Sequence, residues 1–275
     1  MRASKLGKRQ QADLRDSESG VDSGQDVIWG INSVREALAQ SPRSISEILV
    51  QRGKAGPKIQ EIVDRARQHK IRLRFVEPNR FGVSSRCRHQ GVVARQAPIT
   101  LLTLDEMLDK AKTGPGQPPV RLLMLDSIQD PRNLGAILRS ALAAGFTSVI
   151  ITRERSAPLT GTVAKTSAGA VSYLDICQVV NLVDAIKVLK KRGLWVFGAV
   201  ADRNGVSVYE ADFSPPLCLV IGGEGKGIRP LVQKQCDHLI TIPIQGHFDS
   251  LNASVAASVI MFEIVRQQGL VPSVV

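Results

Sequence analysis

Cysteine is scarce in this chain: Cys87, Cys177, Cys218 and Cys236 lie far apart and form no C-x-x-C pair. That spacing argues against a disulfide framework and a cysteine-based metal site; inert thiols in a reducing cytoplasm are expected. Histidine is equally sparse, and His69, His89, His238 and His247 form no metal-spaced group. Neither G-x-S-x-G nor H-E-x-x-H occurs, so serine-hydrolase and zinc-hydrolase chemistry lack their residues, and no metal is expected. No apolar run approaches the roughly 18 residues needed to cross a bilayer, so no membrane partner is expected. Residues 1–26 contain no apolar signal-peptide core. Their five basic residues are matched by Asp13, Asp16, Glu18, Asp22 and Asp26, which is wrong for an acid-poor transit peptide. A disordered tail is expected there.

What is present describes a globular chain. It has 275 residues, 43% of them hydrophobic, and a mean hydropathy of zero. This is enough for one large or two ordinary domains. The net charge of +11 is unevenly placed: residues 27–98 hold 14 Lys/Arg against 5 Asp/Glu, whereas residues 99–275 hold 17 against 15. A domain-wide positive excess is what a phosphate backbone selects, so a nucleic-acid partner is expected for the first domain.

Between Val27 and Pro98 the pattern reads strand, helix, strand, helix, strand, strand. Val27–Trp29 is a strand, and Asn32 or Ser33 could cap a helix over Val34–Ala39. Ile48–Val50 is a strand, Lys58–His69 has Ile59, Ile62, Val63 and Ala66 at helical spacing, Arg72–Val76 alternates, and Gln90–Ala94 closes the unit. Residues 99–119 read as a linker, with a short helix within Thr100–Lys112 before the breaker-rich Thr113–Pro119. From 120 to 275, strands at Leu122–Leu125, Ser148–Thr152, Trp195–Val200, Cys218–Ile221 and Leu239–Ile242 alternate with helices. The helices fall at Leu134–Ala144, Leu182–Arg192, Pro230–Cys236 and Leu251–Gln267. Such alternation implies an α/β domain with a parallel sheet covered on both faces.

Three segments of this second domain sit where a strand gives way to a loop or helix start, the place where α/β proteins gather ligand-binding groups. The first is Asp126-Ser-Ile-Gln-Asp-Pro-Arg-Asn-Leu-Gly-Ala-Ile-Leu-Arg139. Asn133 is a plausible helix cap there. Arg139 stands off the apolar stripe beside Gly135, Ala136 and Ala143, which leaves room above its guanidinium for a planar ligand or a phosphate. Asn133 and Arg139, six residues apart, do not share a helix face, so Arg139 reads equally as a site residue or as a surface cation. The second segment is Gly222-Gly-Glu-Gly-Lys-Gly227, which fits neither the P-loop nor the dinucleotide fingerprint. It is either a tight turn or a loop whose main chain approaches a ligand ring, and Glu224 either orients it, contacts RNA or is merely solvated. The third is Ile242-Pro-Ile244 with Ser250-Leu-Asn-Ala-Ser-Val-Ala256, where Ser250 or Asn252 can cap the last helix. Its small pairs Ala253/Ala257 and Ser254/Ser258 suit tight core packing, a dimer seam or a ligand contact.

In this order the three segments resemble the motifs of the SpoU (TrmH-like) RNA ribose 2'-O-methyltransferases. Trp29-Gly-Ile-Asn-Ser-Val-Arg-Glu-Ala-Leu38 and His89-Gln-Gly-Val-Val-Ala94 resemble the substrate-binding domain of the subgroup acting on a large-subunit rRNA guanosine. The resemblance implies an α/β domain of the SPOUT type, with a deep trefoil knot, behind a small α/β domain similar to ribosomal RNA-binding folds. It implies S-adenosylmethionine as cofactor, with the main chain at Gly222, Ile242 and Leu251 around its adenosine. It places Asn133, Arg139, Glu224, Ser250, Asn252 and Ser254 around the reaction centre. It implies a cytoplasmic homodimer paired through the C-terminal domain, with rRNA as partner. Transfer-RNA enzymes share the same motifs, and an RNA-binding ribosome-assembly protein with a lapsed site is the reading from another class.

Overall fold

The computed structural model describes residues 27–83, 88–97, 99–112, 118–201, 205–245 and 250–269. The expected tail, Cys87, His247 and residues 113–117 of the expected linker lie outside them. The chain divides into two compact units, up to Ala97 and from Pro98 onward.

The first unit contains β1 (Val27–Trp29), α1 (Ile31–Gln40), β2 (Ile45–Gln51), α2 (Pro57–Gln68), β3 (Arg72–Val76) and β4 (Val92–Gln96). Its sheet runs in the order β1-β4-β2-β3, with β3 parallel to β2 and β4 antiparallel to both of its neighbours. Helix α1 starts earlier than the sequence suggests. Gly30 occupies the cap position at φ 92, and neither Asn32 nor Ser33 caps the helix. The first free amide, at Ile31, instead donates to Oε1 of Gln90, far along the chain, at 3.1 Å. Pro57 opens α2, where its missing N–H costs nothing. Ile59, Ile62 and Ala66 of α2 join Val34 and Leu38 of α1 over Ile48, Val50 and Ala94, so both helices cover one sheet face. A smaller cluster of Leu49, Val76, Phe81 and Val93 lies on the other.

The second unit opens with β5 (Leu101–Leu102) and α3 (Leu104–Lys110), followed by β6 (Arg121–Asp126), α4 (Pro131–Ala143), β7 (Ser148–Thr152), α5 (Gly161–Thr166) and β8 (Asp175–Val179). Then come α6 (Leu182–Lys191), β9 (Trp195–Ala199), β10 (Val206–Ser207), β11 (Leu217–Gly222), α7 (Pro230–Gln233), β12 (His238–Thr241) and α8 (Ala253–Gln267). The eight strands form one sheet in the order β10-β12-β9-β11-β6-β7-β8-β5, and every pairing is parallel. The period-2 alternation of a strand is visible in β6: Leu123 and Leu125 pack under α4 and α8, while Leu122 and Met124 pack under α3 and α6. The parallel sheet with helices on both faces is therefore as the sequence implies.

Two local expectations are corrected. Residues 99–112, read as linker, are built into the second unit: β5 pairs with β8, and Met107 and Leu108 of α3 are buried in the core under α6. A capping box between Thr103 and Glu106 fixes the start of α3. Asn133 does not cap α4, because the helix begins two residues earlier at Pro131 and Asp130 accepts from the Arg132 amide at 2.8 Å. Asn252 does cap α8, as one of the two candidates.

Candidate active site

The strand order reverses beside β6: the chain moves outward to β7 and β8, then returns to the other side for β9. Ligands of open parallel sheets bind at the carboxyl ends of strands near such a reversal. A cleft of about 360 Å³ lies there, walled by the segments that follow β9 (Ala199–Ala201), β11 (Gly222–Gly227) and β12 (Thr241–Ile244), and by Ser250–Ala253 entering α8.

The loop after β11 folds tightly enough to demand its glycines. A Cβ on Gly222 would lie 2.1 Å from the carbonyl carbon of Gly227, and one on Gly223 would lie 2.3 Å from the carbonyl oxygen of Ser127. Gly225 and Gly227 hold positive φ angles of 79 and 62. Two of the glycines therefore first serve the loop's own close approaches. Asp126, fully buried at the end of β6, holds this loop in place: it accepts from the amide of Arg229 at 2.9 Å, from its Nε at 2.7 Å and from Ser127 Oγ at 3.0 Å. This anchor joins residues 103 apart in sequence, and the only signal for it was an acid closing an apolar strand.

Asn133, Glu224 and Asn252 meet at the rim although they come from three separate segments. Asn133 Nδ2 donates to Glu224 Oε1, and Asn252 Nδ2 donates to the same oxygen at 3.1 Å and to Asn133 Oδ1 at 3.2 Å. The orientation of Asn252 is fixed independently. Its Oδ1 accepts from the Ser254 amide at 2.9 Å and from Ser254 Oγ at 2.6 Å, so its amide nitrogen must face Glu224. Gly222, Glu224, Ile242, Ser250, Leu251 and Asn252 line the cleft. Asn133 and Ser254 reach it only through these hydrogen bonds.

Arg139 is exposed on α4, does not line the cleft and makes no hydrogen bond or ion pair with a described residue. The space expected above it from Gly135 is taken: a Cβ on Gly135 would lie 1.9 Å from Thr166 Oγ1, so this glycine lets α5 pack against α4. Its neighbour Ser140 ties α4 to α8 by accepting from Ser258 Oγ at 2.8 Å. Sequence reasoning missed Asp126, Arg229 and the wall Ala199–Ala201; for the wall, only its place at a strand's carboxyl end gave a signal.

Among the described residues the cleft wall carries no lysine or arginine, and Glu224 is its one ionisable group. Short side chains bring main-chain N–H and C=O groups to the surface, beside apolar Ile242, Ile244 and Leu251. A ligand that joins a flat heterocycle to a positive charge fits this lining, because none of its described residues repels a cation and the apolar wall accepts the ring. The described residues contain no group of three His, Cys, Asp or Glu able to hold a metal ion.

Fold and cleft together define a ligand-binding α/β domain of the kind that carries enzymes, preceded by a separate basic α/β unit. Residues 121–262 match the SpoU rRNA Methylase family, and residues 27–101 match a domain described as RNA 2'-O ribose methyltransferase substrate binding. The chain is 40% identical over 242 residues to the 23S rRNA (guanosine-2'-O-)-methyltransferase RlmB of Xanthomonas campestris pv. campestris, covering 88% of this chain and 96% of that one. It is also 40% identical over 242 residues to a putative TrmH family tRNA/rRNA methyltransferase of Staphylococcus haemolyticus, with the same coverage. The fold is similar to that of an AdoMet-bound rRNA methyltransferase from Sinorhizobium meliloti, with a TM-score of 0.64 and 24% identity over 88% of this chain and 87% of that one. The chain belongs to the SpoU rRNA Methylase family.

Proposed function

We propose that this chain transfers a methyl group from S-adenosylmethionine to the 2'-oxygen of a guanosine ribose in large-subunit rRNA. The C–S bond breaks as the C–O bond forms, with S-adenosylhomocysteine leaving as a neutral thioether and the hydroxyl proton passing to water. The observation that carries the reading is the Asn133–Glu224–Asn252 set, fixed at the rim of a cleft whose described wall carries no lysine or arginine. The curated relative from Xanthomonas supports the rRNA guanosine as acceptor. Bound in the cleft, S-adenosylmethionine would supply an electrophilic methyl carbon on a sulfonium. The main chain around Gly222, Ile242 and Leu251 would hold its adenosine, with no lysine or arginine among the described lining residues to repel the sulfonium. Glu224 Oε1 takes both amide donors, so Oε2 stays available to receive a hydroxyl or a base N–H from the RNA. Ser250 and Ser254 add hydroxyls beside Asn252 for the ribose. The planar guanidinium of Arg139, a fork of donors with no acceptor, suits fixing the ribose and its phosphate better than removing the hydroxyl proton. Positioning for in-line attack then supplies most of the acceleration.

Three further parts belong to the proposal. The cytoplasm is the compartment, residues 27–98 grip the RNA, and two copies pair through α8, in keeping with the trefoil knot and dimer that the resemblance implies. The test incubates the full chain with S-adenosylmethionine and unmodified rRNA and tRNA transcripts, followed by mapping of 2'-O-methyl groups. One methylated guanosine in the rRNA is expected. Methylation confined to tRNA would move the substrate, and RNA binding without any transfer would favour the assembly-factor reading.

A further inference from the structure

The sheet face of the first unit that α1 and α2 leave uncovered carries an arrangement that packing alone does not require. Glu47 sits in β2 with its side chain only 10% exposed, and three arginines surround it. Arg72 Nε lies 3.5 Å from Oε1, Arg74 Nη1 3.7 Å from Oε1, and Arg95 Nη1 3.8 Å from Oε2. Register explains the convergence. Glu47 stands opposite Arg72 of β3 on one side and Arg95 of β4 on the other, with Arg74 one pleat along.

A break in register aims Glu47 at this face. Ile45 pairs with Gln96 and Glu47 with Arg95, so Ser46 is an extra residue in β2. In an unbroken strand Ile45 and Glu47 would share a face, and Ile45 and Ile48 would not. Here Ile45 and Ile48 both enter the core under the helices, while Glu47 turns to the open side with Leu49. Such a bulge re-aims a side chain.

The distances matter as much as the count. A guanidinium committed to a carboxylate donates at about 2.7–2.9 Å. None of these three comes that close. None makes a hydrogen bond with a described residue, and Glu47 Oε1 is buried without a hydrogen-bond donor. One negative charge therefore gathers three positive ones without consuming their N–H groups. The side chains of Arg72 and Arg74 are 74% and 53% exposed, so their donors face solvent.

We infer that this three-arginine face binds the phosphate backbone of the substrate RNA, with Glu47 as the residue that positions the guanidiniums. The inference rests on the proposed RNA reading of the first unit and adds to it a specific surface. It makes a prediction that simple charge counting reverses. Glu47→Gln raises the net positive charge by one, and by charge alone it should tighten RNA binding.

The experiment measures binding of the full chain to an unmodified large-subunit rRNA transcript by fluorescence anisotropy across a potassium chloride series. Melting curves accompany each variant. Glu47→Gln is expected to weaken binding about threefold or more. Arg72→Ala with Arg74→Ala is expected to weaken it further and to flatten the slope of log K against log salt by roughly one to two. The control pair Lys58→Ala with Arg67→Ala, on α2, removes the same charge and is expected to have a smaller effect. Should Glu47→Gln lower the melting point, the exposed Arg72/Arg74 pair decides the matter. The inference is overturned if that pair binds and titrates as the control pair does, or if folded Glu47→Gln binds as tightly as the parent. Transcript binding that survives in every variant would reject this face while leaving the RNA reading intact; no binding by the parent chain would reject both.

Discussion

Arg139 has no described partner and lies off the apolar face of α4, so its removal opens no cavity. Arg139→Ala is expected to reduce methyl transfer by about 100-fold or more while S-adenosylmethionine affinity and melting temperature stay near those of the parent. Arg139→Lys is expected to restore little, because an ammonium lacks the planar fork. Kinetics with calorimetry checks both; joint loss of affinity and stability would make Arg139 structural. Asp126 is the opposite case. Asp126→Ala strips Arg229 of its partner and frees the loop after β11, an expected loss of about 3 kcal/mol in denaturant unfolding, accompanied by weak cofactor binding. The thiols provide a third check at this scale. Burial pushes Cys177 up to about 11 and Cys236 up to about 12, and moves Cys218 further in the same direction. All three therefore stay protonated at pH 8, and alkylation followed by mass spectrometry should find them unmodified until denaturant is added. The expectation of inert thiols came from spacing, and the burial of Cys177 and Cys218 supports it. The role proposed for Arg139 came from family resemblance, and the Asp126–Arg229 pair was invisible because nothing in a sequence reports which distant cation meets a buried acid.

Elements were legible in proportion to their length and apolarity. β3 falls where alternation places it, β7 where its apolar run does, and α2 buries the four residues that its spacing named. β5 and β10, with two residues each, carry no period to detect, and β8 begins on an aspartate that masks its apolar centre. Cap prediction failed at α1 and α4 for one physical reason. A helix accepts whichever partner reaches its free amides, and at α1 that partner is Gln90, from a distant loop. The last helix shows what spacing left open. Ala253 and Ala257 are buried in the core, and Ser258 bridges to α4, so the small residues serve internal packing. Val255 and Phe262, however, are half exposed and lie about two turns apart on the helix, an apolar stripe that a soluble helix ordinarily buries. This stripe supports the proposed dimer. Val255→Glu with Phe262→Glu is expected to shift light scattering from dimer to monomer without loss of helical content. An unchanged mass would move the interface elsewhere.

At the scale of the whole chain, composition separates a strongly basic first unit from a nearly balanced second, and the contact pattern divides the chain there. The place to cut, however, differs from the one that composition suggests. Gly114–Pro119 is the breaker-rich stretch, yet β5 and α3 before it belong to the second unit. β5 extends the sheet beside β8, and Lys110 pairs with Asp175 at 2.9 Å. Arg192 reaches back to Asp105 and Asp109 at 3.5 and 3.2 Å. Met107 and Leu108 are buried, and their burial contributes about 3–6 kcal/mol together. A two-residue strand beside a proline-containing stretch resembles a linker, because its pairing partner lies more than 70 residues ahead. A chain starting at Pro98 is therefore expected to fold, to melt cooperatively and to bind S-adenosylmethionine while losing most rRNA affinity. A chain starting at Pro118 is expected to melt well below it, since removing α3 uncovers the apolar face of Leu182, Ile186 and Leu189. Melting curves and cofactor titrations on the two chains decide the boundary. Equal stability would return residues 99–112 to the linker, and rRNA affinity equal to that of the full chain in the Pro98 form would reject the division of labour between the units.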